Sequence, residues 1–262
     1  MTTDTAPRTE AVTEVGPGFM GTVRDKIDLI VTPAFFVILA AAVGAVWTYS
    51  DIDSTTARIL SWDNLWPNIV DQVVMTFWST VLVVLIAIPL GIFITRPRFK
   101  GFSGPILTFA NSGQAIPAFG LLVIFAGAFG RGQQTAIFAF TVFALLPVLR
   151  NTMVGLQQVD QSVIEAGHGM GLSKRQALVD IELPLAVPVI LAGVRTALVI
   201  NVGMATLAFL IGGGGLGEPI YAGLQLNRPT AVFISGGMVA ALALLIDFLA
   251  ALAERYLRPK GI

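Results

Sequence analysis

VVMTFWSTVLVVLIAIPLGIFI, residues 73–94, runs for 22 positions without a charged side chain. A helix rises about 1.5 Å per residue and a bilayer's hydrocarbon core is about 30 Å thick, so about 20 apolar residues cross it. Lipid offers the backbone no hydrogen-bond partner, so the stretch must be helical, and Pro89 is tolerable near its far end. Five further apolar stretches lie around it, at 30–47, 106–129, 135–149, 185–211 and 231–252. The third span is interrupted by Asn111, Gln114 and Pro117. The fourth, Thr135–Leu149, has a clean apolar core of only 15 residues, so a full crossing competes with a re-entrant or bundle-buried helix. The fifth contains Arg195 and the sixth Asp247.

Composition agrees with this pattern. Hydrophobic residues make up 55 % of the 262 and charged residues 12 %, about half the charge of a soluble chain. The mean hydropathy is +0.80. A cytosolic enzyme, a disordered chain and a nucleic-acid-binding chain are excluded on that ground. The 27 Gly and 14 Pro fit membrane helices, which pack closely through small residues and tolerate broken turns. No Cys is present, which removes disulfides, thiolate chemistry and Cys-based metal sites. The expected division is a polar tail at 1–29, a first span and outer loop at 30–72, a core at 73–257 and a short tail at 258–262. Thr5, Pro7, Pro17 and Gly18 mark the first tail as loose, and the apolar stretch after it reads as an uncleaved span.

The basic residues set the orientation. Arg8, Arg24, Lys26, Arg96, Arg98, Lys100, Arg150, Lys174, Arg175, Arg255, Arg258 and Lys260 fall on one side, twelve of the sixteen. Arg58, Arg131 and Arg228 fall on the other. The positive-inside rule places the first side, with both termini, in the cytoplasm. That requires an even number of crossings, which six supplies. The outer loop between the first two spans carries Asp51, Asp53, Asp63 and Asp71. Ser61 there is positioned to cap a short interfacial helix beginning at Trp62. Trp47, Trp62 and Trp66 read as interfacial anchors, with a cage for an organic cation as the alternative.

The most informative stretch lies on the basic side, from Asp160 to Pro184. Ser162/Glu165 and Ser173/Gln176 both have capping-box spacing, and Gly167-His168-Gly169-Met170-Gly171 between them should bend the chain. The expected form is a compact helical knob leading through Pro184 into the fifth span. Two readings fit it: a loop packed on the bundle ends, or a docking element for a cytosolic subunit.

Glu165-Ala166-Gly167, then Gly171, then Ile181, Leu183 and Pro184 resemble the EAA loop of bacterial ABC-importer permeases. That loop reads E-A-A, three residues, G, nine residues, I, one residue, L-P. Every spacing matches, and the one departure is Gly167 for the second Ala. The segments Gly113–Pro117, Leu146–Thr152 and Phe209–Gly217 are similar to the osmoprotectant branch, which imports glycine betaine, choline, carnitine or proline betaine. Methionine and other amino-acid permeases share the architecture. The resemblance implies a six-helix type I permease bundle, all-α and integral to the membrane, with a cytoplasmic coupling helix. It implies two permease subunits (a homodimer or a close paralogue pair), two copies of a cytosolic ATPase, and an extracytoplasmic solute-binding protein. ATP and Mg would be held by the ATPase and no cofactor by this chain, which is expected to be a non-catalytic transport subunit in the bacterial cell membrane.

The residues agree that this chain binds no nucleotide. Gly212–Gly217 lacks the Lys-Ser/Thr of a phosphate-binding loop and is expected to form an outer bend that lets helices pack or a gate close. Arg195 and Asp247 lie toward the same half of the membrane and invite an ion pair, structural or gating. Asn111, Gln114 and Pro117 are candidates for lining the pathway, or for hydrogen bonds across helices. His168, the one histidine, reads as a surface turn residue. An ion-coupled secondary transporter and a membrane scaffold that recruits a soluble partner are the rival classes.

Overall fold

The computed structural model describes residues 18–257, and among them every regular element is helical. Arg8, Arg258 and Lys260 lie outside the described residues, as do the side chains of Arg24, Lys26 and Lys100. Helix α1 spans Gly18–Tyr49, α2 Ser54–Ile59, α3 Trp62–Thr95, α4 Ser103–Ala115, α5 Ala118–Phe129 and α6 Gln133–Gln157. Then follow α7 Gln161–Gly169, α8 Lys174–Ala177, α9 Leu183–Ala205, α10 Gly217–Gln225 and α11 Pro229–Leu257. A π-helical turn, Leu178–Glu182, joins α8 to α9 without a break.

Among the described residues five segments are long and apolar enough to cross a membrane: Val31–Tyr49, Trp62–Thr95, Gln133–Gln157, Lys174–Ala205 and Pro229–Leu257. The broken pair α4–α5 occupies the place of the expected third span. Ala110 of α4 joins the core beside Leu146 and Leu149 in the second half of α6. Leu122 of α5 joins the core beside Ala136 and Phe140 in its first half. The pair therefore runs antiparallel to α6 over the same depth. The break falls at Ile116–Pro117, where Pro117 removes an amide donor and turns extended.

The fourth span is thus the complete one and the third the interrupted one. Helix α6 has 25 residues because Gln133, Gln134, Arg150, Asn151 and Thr152 are all inside it. The length rule counts apolar residues facing lipid, and α6 is central, packing on α3, α4, α5 and α9. Of its polar side chains Thr152 is buried and Gln133 and Asn151 are half-buried, while Gln134 and Arg150 are exposed. A Cβ on Gly193 of α9 would come within 2.7 Å of Asn151 Cβ and 3.0 Å of the Pro147 carbonyl oxygen. Where lipid is as apolar as the helix faces, such close approach drives packing.

The loop between the first two spans differs from expectation too. Trp62 begins no separate interfacial helix; α3 runs unbroken from Trp62 to Thr95 through Pro67 and Pro89. Ser61 sits at its N-cap but donates to the Arg58 carbonyl, 2.9 Å, instead of capping. Asn68 Nδ2 donates to the Asn64 carbonyl, 2.9 Å, one turn back along the helix. Trp62 and Trp66 stack on each other, ring centroids 5.3 Å apart. Helix α1 packs on α11, with Val43 against Gly237, where a Cβ would meet Val43 Cγ2.

Candidate functional site

The knob begins where α6 ends. Asp160 caps α7, its Oδ1 accepting from the Ser162 amide at 2.8 Å. That bond holds the Asp160 carboxyl below its usual 3.8. Ser162 and Glu165 therefore form no capping box, because Asp160 two positions earlier takes the role, and Glu165 stands exposed on α7. The glycines do not break α7 at once either. It continues through Gly167 and His168 to Gly169 and ends in a Schellman turn. Leu172 N donates to the Gly167 carbonyl, 3.1 Å, and Gly171 N to the His168 carbonyl, 3.0 Å. Gly171 has φ +92°, a conformation that side chains with a Cβ resist. His168 Nδ1 lies 2.9 Å from the Leu172 carbonyl, in the exposed turn.

The second cap forms as the spacing predicts. Ser173 Oγ accepts from the Gln176 amide and Gln176 Oε1 from the Ser173 amide, at 3.3 and 3.0 Å. The chain then returns to the membrane through the π-helical turn, where Leu183 N donates to the Leu178 carbonyl. Such single-turn widenings are frequent at functional positions.

The motif residues converge. Gly167 is buried, and a Cβ there would stand 2.6 Å from Ile181 Cδ1. Gly in place of Ala thus lets Ile181 close onto α7. Ala166 is exposed beside Glu165. Leu183 packs with Leu178, Leu156, Ala186, Ile190, Ile88 and Ile92, which seats the knob on α3 and α6. Pro184 follows directly on the π-helical turn, as the second residue of α9.

Charged and polar contacts that the sequence reading did not single out fasten this assembly. Arg96, at the C-cap of α3, holds Glu182 by two bonds, Nη1 to Oε1 at 3.0 Å and Nη2 to Oε2 at 2.6 Å. At the opposite end of the bundle, Gln72 of α3 is fully buried. Its Nε2 donates to the Val202 carbonyl at 2.7 Å and Thr206 Oγ1 at 2.9 Å, and its Oε1 accepts from Leu216 N at 3.0 Å. Between them Asn201 Nδ2 donates to Thr80 Oγ1, 3.0 Å. A sequence signal existed for the first pair: Arg96 follows the second span and Glu182 precedes the fifth, at the same membrane face.

The remaining candidates divide by helix. Asn111 is exposed on α4, and Gln114 Nε2 donates to the Phe143 carbonyl of α6 at 3.3 Å. Pro117 marks the exposed α4–α5 break. Arg195 and Asp247 join α9 to α11, Nε to Oδ1 at 2.5 Å and Nη2 to Oδ2 at 2.7 Å. Gly212–Gly217 forms a bend at the other end from the knob, with Gly212, Gly214 and Gly215 at φ +74°, +75° and +97°. It borders a cavity of about 540 Å³ lined by Asp71, Gln133, Phe209 and Glu218. Among the described residues no group of His, Cys, Asp and Glu is placed to hold a metal ion.

The Asp160 cap has a pH signature. Its depressed carboxyl contributes stability that is present above the ordinary value of 3.8 and lost as pH falls through the lower folded value. Asp160→Ala should speed amide exchange at 162–165 at neutral pH. Asp160→Asn should keep most of the protection and remove its loss in acid. Hydrogen–deuterium exchange of that segment reads both.

Residues 87–259 match the family described as "Binding-protein-dependent transport system inner membrane component". The choline transport system permease protein OpuBB of Bacillus subtilis (strain 168) is 40 % identical over 192 residues, 73 % of this chain and 88 % of that protein. The osmoprotectant import permease protein OsmY of Salmonella typhimurium (strain LT2) is 40 % identical over 191 residues, 73 % of this chain and 81 % of that protein. Among solved structures, an inward-facing form of the MetNI methionine ABC transporter aligns with a TM-score of 0.67 at 24 % identity, covering 76 % of this chain and all of that one.

Proposed function

The chain belongs to the family of binding-protein-dependent transport system inner membrane components, and from that premise we propose that it moves a small zwitterionic or quaternary ammonium osmoprotectant into the cell. Glycine betaine, choline, carnitine and proline betaine are the substrate class. The observation that carries this reading is the identity near 40 % to permeases named for choline and osmoprotectant import. The likeness to the methionine transporter, at 24 %, is one of fold.

In the proposed cycle the α7–α8 knob faces the cytosol and docks on a separate ATPase, which holds ATP and Mg. Two permeases and two ATPases assemble, and an extracytoplasmic binding protein delivers the solute. ATP closes the ATPase pair, the knobs move, and the pathway turns outward; hydrolysis resets it inward. Glu165 and Ala166, exposed on α7, present the docking face. Gly171 shapes the turn behind them. Asn111, Gln114 and Pro117 lie along the pathway, at and before the α4–α5 break.

Competition for uptake by the reconstituted complex tests the substrate class. Glycine betaine, choline or carnitine should displace the transported label, while methionine and proline should not; displacement by methionine alone would overturn the assignment. The docking role has its own test. Gly171→Ala forces a Cβ into a φ +92° conformation with open space around it, so its cost, about 1–2 kcal/mol, is one of backbone alone. Gly171→Ala and Glu165→Ala should weaken ATPase co-purification and coupled hydrolysis with membrane insertion intact. Normal coupled transport in both variants would remove the role.

A further inference from the structure

Glu182 is the motif region's one buried charge, 7 % exposed, between Ile181, which closes on α7, and Leu183, which seats the knob. Its backbone belongs to the π-helical turn between α8 and α9. This turn is one of the knob's two chain connections to the long helices, the other being the short link from α6 to α7. Both of its carboxylate oxygens are held by Arg96, whose guanidinium is further fixed by the Ile92 carbonyl and Thr95 Oγ1, each at 3.4 Å. A two-pronged charge-assisted pair fixes geometry as well as distance. An unpaired carboxylate this buried would be costly, so the two groups resist separation.

The position of the pair is as telling as its strength. Helices α3 and α9 meet twice more along their length, at Asn201–Thr80 and at Gln72, which also holds the loop amide of Leu216. The two helices are therefore pinned from the knob to the glycine bend at the other end. From this we infer that Arg96 and Glu182 are positioning residues for transport: the pair makes α3 move with the knob and α9, so that motion at the ATPase face reaches the far gate. Without the pair the knob-side end of α3 would lag behind the knob and α9, and ATP would be hydrolysed with little transport. The inference rests on the reading that the knob docks the ATPase.

The test uses the complete importer of permease, ATPase and binding protein in proteoliposomes, with labelled glycine betaine and choline as probes. The readout is solute moved per ATP hydrolysed, normalised to assembled complex. A merely structural contact would lower the amount of complex and leave that ratio alone. Glu182→Gln and Arg96→Gln should each lower the ratio about tenfold, within the range common for coupled sites. The double variant should be no worse than the worse single one, as for any pair acting as a unit. Arg96→Lys keeps the charge but loses the fork, so it should fall between wild type and Arg96→Gln. Unchanged ratios in either single variant, or losses that multiply in the double one, would overturn the inference. A wild-type complex that moves neither probe would instead count against the proposed substrate class.

Discussion

Gly217→Ala should strongly destabilise the end of the bundle opposite the knob. A Cβ at this position would collide with the Thr206 carbonyl oxygen and lie 2.9 Å from its carbon and 2.6 Å from Phe209 Cδ1. The first two are backbone atoms at the end of α9, and they cannot swing aside as a side-chain tip can. Relief requires α10 to shift away from the segment that Gln72 holds through Val202, Thr206 and Leu216. Overpacking commonly costs 1–3 kcal/mol, and this contact belongs at or above the top of that range, about 3 kcal/mol. Gly203→Ala is the control: nothing lies within 4 Å of its added Cβ, and Ala suits a helix interior better than Gly. Thermal unfolding in detergent should show a large loss for Gly217→Ala and none for Gly203→Ala. Equal behaviour of the two would mean that α9 and α10 do not meet as described.

Arg195→Ala should be the most damaging single change among the charges within the spans. It leaves the Asp247 carboxylate, 20 % exposed, without the two-pronged guanidinium that balances it between α9 and α11. An acidic side chain at membrane depth without its partner costs roughly 3 kcal/mol. Replacing both, as Arg195→Met with Asp247→Leu, removes the charge and its debt together and should recover most of the stability. Transport then separates the two roles left open by the sequence. If the pair only joins α11 to α9, the double variant regains uptake with its stability. If it also gates, stability returns and uptake stays low. The stability recovery itself is the firm expectation, and its failure would show that the pair does more than neutralise two charges.

The helical knob was legible because its signals are local. Ser173 and Gln176 cap one helix, Gly171 takes the one left-handed turn, and Pro184 opens the next helix; each acts within four residues of itself. The α4–α5 break was legible for the same reason, through Pro117. The first cap was misassigned because Asp160 accepts from the Ser162 amide that a box would have given to Glu165, and spacing alone does not rank the two acceptors. The length of α6 was obscured by counting apolar residues, a rule that holds for a helix in lipid and fails for one surrounded by other helices. Tertiary pairings were the least visible. Arg96 and Glu182 are 86 residues apart, and Gln72 and Leu216 are 144 apart. Nothing in the hydrophobic pattern chooses such partners, since lipid-facing and protein-facing apolar residues look alike in sequence. The Gln72 pin in particular resembled any polar residue just outside a span.

The sidedness of the knob underlies the whole functional account, and the chain's lack of cysteine makes it directly measurable. Met170, at the tip of the Schellman turn, is 77 % exposed. Met170→Cys in the complete importer can be labelled with a membrane-impermeant maleimide in sealed vesicles of either orientation. The account predicts labelling when the cytoplasmic face is outermost, and protection when the ATPase subunit is assembled. Labelling from the opposite face would contradict it.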